Sequence, residues 1–257
     1  MIKSVKKATD ILTIIGGCRD GVSLETISRE TNTCKSTCVH ILQTLCAAGF
    51  VTHISRRGGY QLGPFVYYLT QNRRFRQDLI QLCNPVMAWL NKRTDETVLL
   101  SILYEEYKLI IHRIEGKHKL SNSDNQMIKG IVYPTATGRM LLAHMSEQEL
   151  QKLFSKLGLP REQDWRDIHS YADMKQALAK IRAEGYVRVT EDSTVVGYAC
   201  ELHNPQGTVG ALGMAVSVEG SRENNEEIIK SLKIAAREIN RRLDFDDFNR
   251  EHEMASN

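Results

Sequence analysis

The sequence of 257 residues predicts an α+β protein with an N-terminal winged helix-turn-helix domain, a linker helix and a C-terminal domain of mixed α/β structure. Three observations predict this class. Short amphipathic helices and two short strands come first, a further helical segment follows, and strands then alternate with helices. With 42% hydrophobic and 25% charged residues the composition is that of an ordinary globular protein, and the length suffices for two domains.

The first predicted helix begins at Ser4 and is stopped by Gly16 and Gly17, and apolar residues recur between them at helical spacing. A second, shorter amphipathic run extends from Ser23 to Thr31. A turn at residues 32–34 separates this run from a third helix. Two short helices joined this closely are typical of a helix-turn-helix motif.

The third helix separates its apolar residues from its polar ones. The apolar stripe recurs at steps of three and four, at Cys38, Ile41, Leu42, Leu45 and Cys46. The opposite face carries hydrogen-bond donors and no acid, and consists of Lys35, Ser36, Thr37, His40, Gln43 and Thr44. Such a face suits the base edges and phosphates of a DNA major groove, although any solvent-exposed helix is polar on its outer side.

The residues after this helix favour DNA binding over a merely solvated surface. Gly49 is placed to end the helix, and two short strands, 50–54 and 60–62, are expected around Arg56 and Arg57. We expect Lys35, Ser36 and Thr37 to make phosphate and positioning contacts near the helix N-terminus. His40, Gln43 and Thr44 are the candidates for base contacts, and Arg56 and Arg57 for the flanking DNA backbone.

Charge is distributed unevenly along the chain. Residues 1–62 hold eight Lys and Arg against four Asp and Glu, a net charge of +4, whereas the whole chain carries +3. The remaining residues therefore sum to −1. This asymmetry indicates that the N-terminal part binds a polyanion such as DNA.

We expect the winged domain to span residues 1–63, the linker helix 64–76 and the C-terminal domain 77–257. Pro85 is expected to break the helical pattern between the linker helix and the first helix of the second domain. Ser146 with Glu149 forms a capping-box pattern, and Gly185 is placed to end a helix. The remaining expected elements are strands at 96–103 and 107–114, helices at 135–145, 146–156 and 171–184, strands at 186–190, 198–203 and 208–218, and a helix at 224–243 with a frayed tail. This order predicts a mostly antiparallel sheet with helices packed on it.

Several short motifs resemble the IclR family of bacterial transcriptional regulators. The resemblance runs from Ser4 to about Leu243 and rests on Lys35-Ser36-Thr37 with Leu42, on the wing ending Gly59-Tyr60-Gln61-Leu62-Gly63, and on Thr135-Ala136-Thr137-Gly138-Arg139. It implies a winged helix-turn-helix joined to a GAF-like domain that binds a small-molecule effector. It also implies a homodimer or homotetramer that binds double-stranded DNA at a palindromic operator, often as a repressor.

The chain departs from the family pattern at its specificity positions. His40 stands where the family commonly has Arg, and Gly197, Gly213 and Ala215 stand where carboxylate-binding members have a Cys and two Ser. We expect a roomier, less polar effector pocket. Its polarity is expected from backbone N–H groups between Gly130 and Gly138 and from two acids, and the full set of candidates is Gly130, Tyr133, Thr135, Gly138, Glu191, Asp192, Gly197, Gly213 and Ala215. The ligand is expected to be a carboxylate or a sugar-derived metabolite.

Two other functions are considered. The six cysteines form no CxxC pair and are expected to be reduced and mostly buried, yet Cys34 and Cys38 near the recognition helix leave a thiol-based redox sensor open. An enzyme in the C-terminal domain is far less favoured, because GxSxG, HExxH and Walker motifs are absent from the sequence. We expect no metal, no cofactor, no membrane partner and a cytoplasmic location, since the sequence lacks a signal peptide and a long apolar run.

Overall fold

The computed structural model describes residues 2–18, 20–55, 58–71, 76–117, 132–191 and 194–255. The chain divides into two compact units, of which the first holds the described residues up to 71 and the second those from 76 onward. Each unit has its own hydrophobic core.

The N-terminal unit is a three-helix module with a hairpin and a fourth helix. Its elements are α1 Lys3–Gly16, α2 Leu24–Glu30, α3 Lys35–Ala47, β1 Val51–Ser55, β2 Gly59–Leu62 and α4 Pro64–Gln71. The two strands pair in antiparallel fashion. The predicted helix-turn-helix and hairpin are confirmed, and the core between them is formed by Ile11, Ile15, Val22, Ile27, Cys38, Leu42 and Val51.

Local signals fix the ends of these elements. The side chain of Ser23 accepts a hydrogen bond from the Thr26 N–H at 3.1 Å and so caps the start of α2. Gly49 follows α3 with φ +75°, a left-handed conformation that favours glycine and lets the chain turn into β1. Gly59 lies so close to the Val22 backbone that a Cβ atom would collide with the Val22 carbonyl, and this contact holds the turn end of the hairpin against the loop before α2.

The C-terminal unit is built on a five-stranded antiparallel sheet with the order β4-β3-β7-β6-β5. The strands are β3 Thr97–Tyr104, β4 Tyr107–Ile114, β5 Val187–Thr190, β6 Val195–Asn204 and β7 Gly207–Ser217. The helices are α5 Gln77–Thr94, α6 Ala136–Ala143, α7 Glu147–Leu157, α8 Tyr171–Glu184 and α9 Val218–Ala255. The antiparallel sheet with packed helices is therefore confirmed.

The strands place alternate side chains on two faces, each with its own core. Residues such as Leu100, Tyr198 and Met214 pack with α5 and α9 on one face. On the other face, Ala199 and Ala211 pack with α6, α7 and α8. This second face is rich in small residues, which allows α6 to lie close to the sheet.

Two expectations about these helices are wrong. Pro85 lies inside α5 and does not end it, because the helix buries Leu79, Cys83, Val86, Met87 and Leu90 on the sheet. That burial outweighs the backbone hydrogen bond that proline cannot donate. The last helix begins at Val218, departs from helical geometry at Asn224 and continues through Ala255, so the expected frayed tail is helical. Within the described part of the chain, every helix is too short or too polar to cross a membrane.

Candidate DNA interface and effector site

The outer face of α3 carries the predicted DNA-contacting residues. Cys38 and Leu42 are 0% and 1% exposed and anchor the helix in the core. The predicted side chains are half-buried at Thr37 and exposed at Lys35, Ser36, His40, Gln43 and Thr44. Helical spacing places five of them on the face away from Cys38 and Leu42, whereas Lys35 is exposed at the start of the helix, in line with Cys38.

Two contacts change the expected chemistry of this face. Lys35 Nζ lies 3.4 Å from the Glu25 carboxylate of α2, so an acid adjoins the face that the sequence predicts to be free of acids. Thr44 Oγ1 donates a hydrogen bond to the His40 carbonyl at 3.0 Å. The Thr44 hydroxyl can donate, as the sequence predicts, but its hydrogen is already used inside the helix, because a threonine in a helix readily bonds back to the preceding turn.

Cys34 is the residue before α3, and it is exposed, unlike the buried Cys38, Cys83 and Cys200. Its Sγ lies 3.5 Å from Ser36 Oγ and 3.0 Å from Thr37 Oγ1. Hydrogen bonds from the Ser36 and Thr37 side chains lower the pKa of the Cys34 thiol to about 7. Cys38 Sγ instead donates to the Thr33 carbonyl at 3.6 Å inside the core.

The hairpin after α3 is the predicted wing. Ser55 Oγ accepts a hydrogen bond from the Gly58 N–H at 2.8 Å, which closes the turn between the strands. The rings of His53 and Tyr60 pack against each other across the strands at 4.8 Å. Arg56 and Arg57, the predicted backbone contacts, lie outside the described residues.

The N-terminus of α6 brings together several predicted effector-binding residues. Thr135 caps the helix, and its Oγ1 accepts from the Gly138 N–H at 3.2 Å. The Ala136 N–H donates to Glu191 Oε1 at 3.0 Å. Gly138 packs so tightly on the Val132 backbone that a Cβ atom would collide with the Val132 carbonyl. The first turn of α6 is thus bonded to a carboxylate that lies directly after β5.

Tyr133 and Arg139 hold the loop that leads into α6. Tyr133 donates its hydroxyl hydrogen to the Gly158 carbonyl at 2.7 Å, and burial raises the pKa of this phenol to about 12. Arg139 donates to the Tyr133 carbonyl at 2.7 Å and lies 4.3 Å from the centre of the Trp165 ring. Burial lowers the pKa of Arg139 to about 10, although the nearby Glu191 carboxylate acts in the opposite direction.

Gly197, Gly213 and Ala215 lie on the sheet face beneath α6. A Cβ atom on Gly197 would collide with Glu191 Oε1, and one on Gly213 would collide with Thr137 Cγ2. Ala215 is buried in an apolar cluster with Leu99 and Val195. The expected extra room is therefore absent at positions 197 and 213, because side chains of the protein itself fill it.

A cleft of about 760 Å³ opens beside the α6 N-terminus. Its walls are β5 with the residue that follows it, the loop before α8 and the start of α6, and the lining residues are Pro134, Arg139, Gln163, Asp164, Trp165, Arg166, Arg188, Val189, Thr190 and Glu191. Gly130 and Asp192, which were predicted to belong to the effector site, lie outside the described residues.

Two family descriptions match the chain. Residues 4–55 match the IclR helix-turn-helix domain, and residues 74–241 match the bacterial transcriptional regulator IclR C-terminal domain. The chain belongs to the IclR family. The resemblance proposed from the sequence motifs is confirmed.

Individual IclR-family relatives cover nearly the whole chain. The HTH-type transcriptional regulator KdgR of Escherichia coli (strain K12) is 26% identical over 253 residues, which cover 96% of this chain and 95% of KdgR. The transcriptional repressor IclR of the same strain is 22% identical over 201 residues, covering 77% and 73%.

Solved IclR structures show the same fold. An IclR homolog from Microbacterium hydrocarbonoxydans, complexed with 4-hydroxybenzoate, superimposes with a TM-score of 0.70 at 21% identity over 94% of this chain and 99% of that one. The Thermotoga maritima IclR has a TM-score of 0.64 at 24% identity, over 95% and 99%.

As a member of the IclR family, the chain is a DNA-binding transcriptional regulator with an effector-binding C-terminal domain. Its relatives are transcriptional regulators, and none of these findings favours a redox sensor.

Several residues that line the cleft of this IclR-family protein are not among the effector-binding residues predicted from the sequence. The sequence motifs include Arg139 only as the last residue of the Thr135 motif, and they include neither Trp165 nor Arg188. The position of Arg139 directly after four small residues could have indicated that it belongs to the site, because a cation at this position must pack near the N-terminus of α6. No local pattern in the sequence indicates that Trp165 lies beneath it.

Proposed function

We propose that α3 enters the major groove of a palindromic operator and that the wing contacts the flanking DNA backbone. The C-terminal unit is proposed to bind a small molecule that changes operator affinity. The observation that supports this proposal most directly is the outer face of α3, where five polar side chains lie together opposite the buried Cys38 and Leu42, with Lys35 exposed at the start of the helix.

The roles on this face follow from position along the helix. Lys35, Ser36 and Thr37 lie in the first turn, where the helix N-terminus favours phosphate, and they are proposed to fix the position of the helix. His40, Gln43 and Thr44 lie further along the exposed face and are proposed to contact base edges. Arg56 and Arg57 are proposed to contact phosphates.

The division between base and phosphate contacts is tested with two substitutions. Gln43→Ala is expected to cost about 1 to 3 kcal/mol on the cognate operator and little on random DNA. Arg57→Ala is expected to weaken binding to both DNAs and to reduce the salt slope of binding by about one. Binding is measured by fluorescence anisotropy over a salt series, on an operator selected from a random pool.

Gln81→Ala serves as the matched control, because Gln81 is an exposed glutamine on α5 of the other unit. It should leave both affinities unchanged. Equal losses on operator and random DNA for both Gln43→Ala and Arg57→Ala would contradict the proposed roles.

We also propose that the protein acts as a homodimer or homotetramer. The support is an exposed apolar surface on α4 and the strand before it, made of Leu62, Phe65, Tyr67, Tyr68 and Leu69. Exposed apolar groups of this size are commonly covered by a partner, and two-fold symmetry would match a palindromic operator.

The effector is proposed to bind beside the α6 N-terminus and to be a carboxylate or a sugar-derived metabolite. A solved IclR homolog holds 4-hydroxybenzoate, which supports a small organic ligand for this chain. A thermal-shift screen of the full chain against carboxylates, sugar acids and neutral sugars tests this, since a ligand of the native state raises the melting temperature. We propose further that the protein regulates transcription without catalysing a reaction. It is proposed to act in the cytoplasm, where operator DNA is found.

A further inference from the structure

The N-terminus of α6 would ordinarily be a place for a ligand anion, because the first N–H groups of a helix lack partners within the helix. In this chain two of them are already bonded. The Ala136 N–H donates to Glu191 Oε1 at 3.0 Å, and the Gly138 N–H donates to Thr135 Oγ1 at 3.2 Å. The carboxylate bound at this helix N-terminus is therefore the Glu191 side chain of the protein itself and not that of a ligand.

The sheet is shaped to hold the Glu191 side chain in this place. The Glu191 N–H donates to the Val195 carbonyl at 3.0 Å, which extends the pairing of β5 and β6 by one step. The next strand places Gly197 against the carboxylate, and any Cβ at position 197 would collide with Glu191 Oε1. Gly197 on β6 thus leaves the space that the side chain of Glu191, directly after β5, occupies.

Of the three arginines that line the adjoining cleft, Arg166 is exposed and the other two are bonded within the protein. Arg139 donates to the carbonyls of Tyr133 and Asp164 at 2.7 Å and 2.9 Å and packs on the Trp165 ring. Arg188 donates to Tyr198 Oη and to Ser221 Oγ, at 3.2 Å and 3.0 Å. Both guanidinium groups are thereby held by groups of the protein.

We propose that Glu191 determines effector selectivity by occupying, with its own carboxylate, the place of a ligand carboxylate at the α6 N-terminus. A ligand acid would have to displace a bonded group and would meet a like charge. Of the two effector classes proposed above, the pocket therefore selects sugar-derived ligands that donate hydrogen bonds to Glu191 through neutral hydroxyl groups, over carboxylates. This inference rests on the proposed effector site.

The test measures pyruvate binding to the full chain by isothermal titration calorimetry, with Glu191→Ala and Glu191→Gln beside the unmodified protein. Glu191→Ala frees the Ala136 N–H and opens space, so pyruvate affinity is expected to rise by about tenfold or more. Glu191→Gln keeps an oxygen for the Ala136 N–H but removes the charge, so a smaller gain is expected.

Glu201→Ala is the matched control. Glu201 is another partly buried carboxylate, and it pairs with His144 Nδ1 at 2.9 Å beyond the other end of α6. Its removal should leave pyruvate affinity unchanged.

The inference is overturned if the unmodified protein binds pyruvate as tightly as Glu191→Ala, or if a folded Glu191→Ala protein gains nothing. If Glu191→Ala fails to fold, the absence of any gain in Glu191→Gln overturns it. Operator binding of the same proteins is measured in parallel. If the variants show no gain in pyruvate affinity while operator binding is intact, the inference about Glu191 is rejected and the proposed DNA binding stands, whereas failure of all proteins to bind operator rejects the proposed DNA binding and leaves the inference about Glu191 standing.

Discussion

Cys34 shows how two neighbouring hydroxyl groups change the chemistry of one residue. It lies directly before α3, where the helix N-terminus also favours a negative charge. Its pKa of about 7 contrasts with those of Cys83 and Cys200, which burial raises to about 12. At neutral pH Cys34 is therefore partly a thiolate, whereas the two buried cysteines are thiols.

Iodoacetamide is expected to modify Cys34 well before Cys83 or Cys200, with a rate that rises with pH around a midpoint near 7. Ser36→Ala and Thr37→Val each remove a hydrogen bond that stabilises the thiolate, so each should move the midpoint upward. Mass spectrometry of tryptic peptides follows the reaction. Uniform labelling of all three cysteines, or an unchanged midpoint in both variants, would contradict this account of the Cys34 environment.

Two glycines of the C-terminal unit have different reasons to be glycine. Gly138 has backbone atoms of Val132 where a Cβ would stand, whereas Gly185 has open space around it and φ +67°. Gly138→Ala is expected to lower the free energy of unfolding by about 1 to 3 kcal/mol, because backbone atoms must move. Gly185→Ala should cost about 1 kcal/mol from the left-handed backbone alone. Urea denaturation compares the two, and a smaller loss for Gly138→Ala would refute the packing argument.

At the scale of elements, α5 keeps its helical path through Pro85 because its buried face contacts the sheet. Pro85 itself is exposed, so replacing it leaves no cavity. Pro85→Ala is expected to stabilise the protein by about 1 to 2 kcal/mol, since the intrinsic helix gain of about 3 is partly offset by the freer unfolded chain. Chemical denaturation measures the change, with Gln81→Ala on the same helix as a near-neutral control. Destabilisation by Pro85→Ala would show that the proline supports a bend which the packing needs.

The start of α7 links stability to pH. Ser146 Oγ accepts from the Glu149 N–H at 3.3 Å, and Glu149 Oε2 accepts from the Ser146 N–H at 2.9 Å. Ser146→Ala is expected to cost about 1 kcal/mol. Bonds from the Ser146 hydroxyl and N–H lower the pKa of Glu149, so its contribution is present above the pKa of the unfolded chain and is lost as pH falls through the lower folded value.

The advantage of the unmodified protein over Glu149→Gln should therefore be complete at about pH 6 and shrink as the pH falls below about 4.3. Thermal unfolding over this pH range measures it. An advantage that grows toward acid pH would contradict the direction of the pKa shift.

These elements also show how far the sequence alone predicts the structure. Helices whose ends carry local signals, such as the capping box at Ser146 and the terminal Gly185, were predicted within a residue or two. Pro85 misled the prediction because burial on the sheet, which is a tertiary effect, outweighed a local rule. In the proposed effector site, Thr135 and Gly138 belong to one short motif that the sequence displays. The bond from Ala136 to Glu191 joins residues far apart in the chain, and its geometry depends on how far a side chain reaches.

At the scale of the whole molecule, the exposed apolar surface of α4 bears on assembly. Tyr67 and Tyr68 are 70% and 58% exposed. Changing both to serine is expected to weaken self-association by about a hundredfold or more, because each buried aromatic contributes about 1.5 to 3 kcal/mol. Sedimentation velocity measures this, with Tyr104→Ser, an equally exposed tyrosine of the other unit, as the control. Unchanged sedimentation of the double variant would exclude this surface from the interface.

The hydrogen bond that the Thr44 hydroxyl makes within α3 affects which base sequence the operator should have. Because its hydrogen is donated to the His40 carbonyl, the Thr44 oxygen can offer only lone pairs in the base contact that we propose for it. Of the base edges in the major groove, the amino groups of adenine and cytosine offer hydrogens, whereas the exposed carbonyls of guanine and thymine do not. Operators selected from a random pool by the unmodified protein should therefore favour A or C at one position, repeated symmetrically in both half-sites, and Thr44→Val should lose that preference.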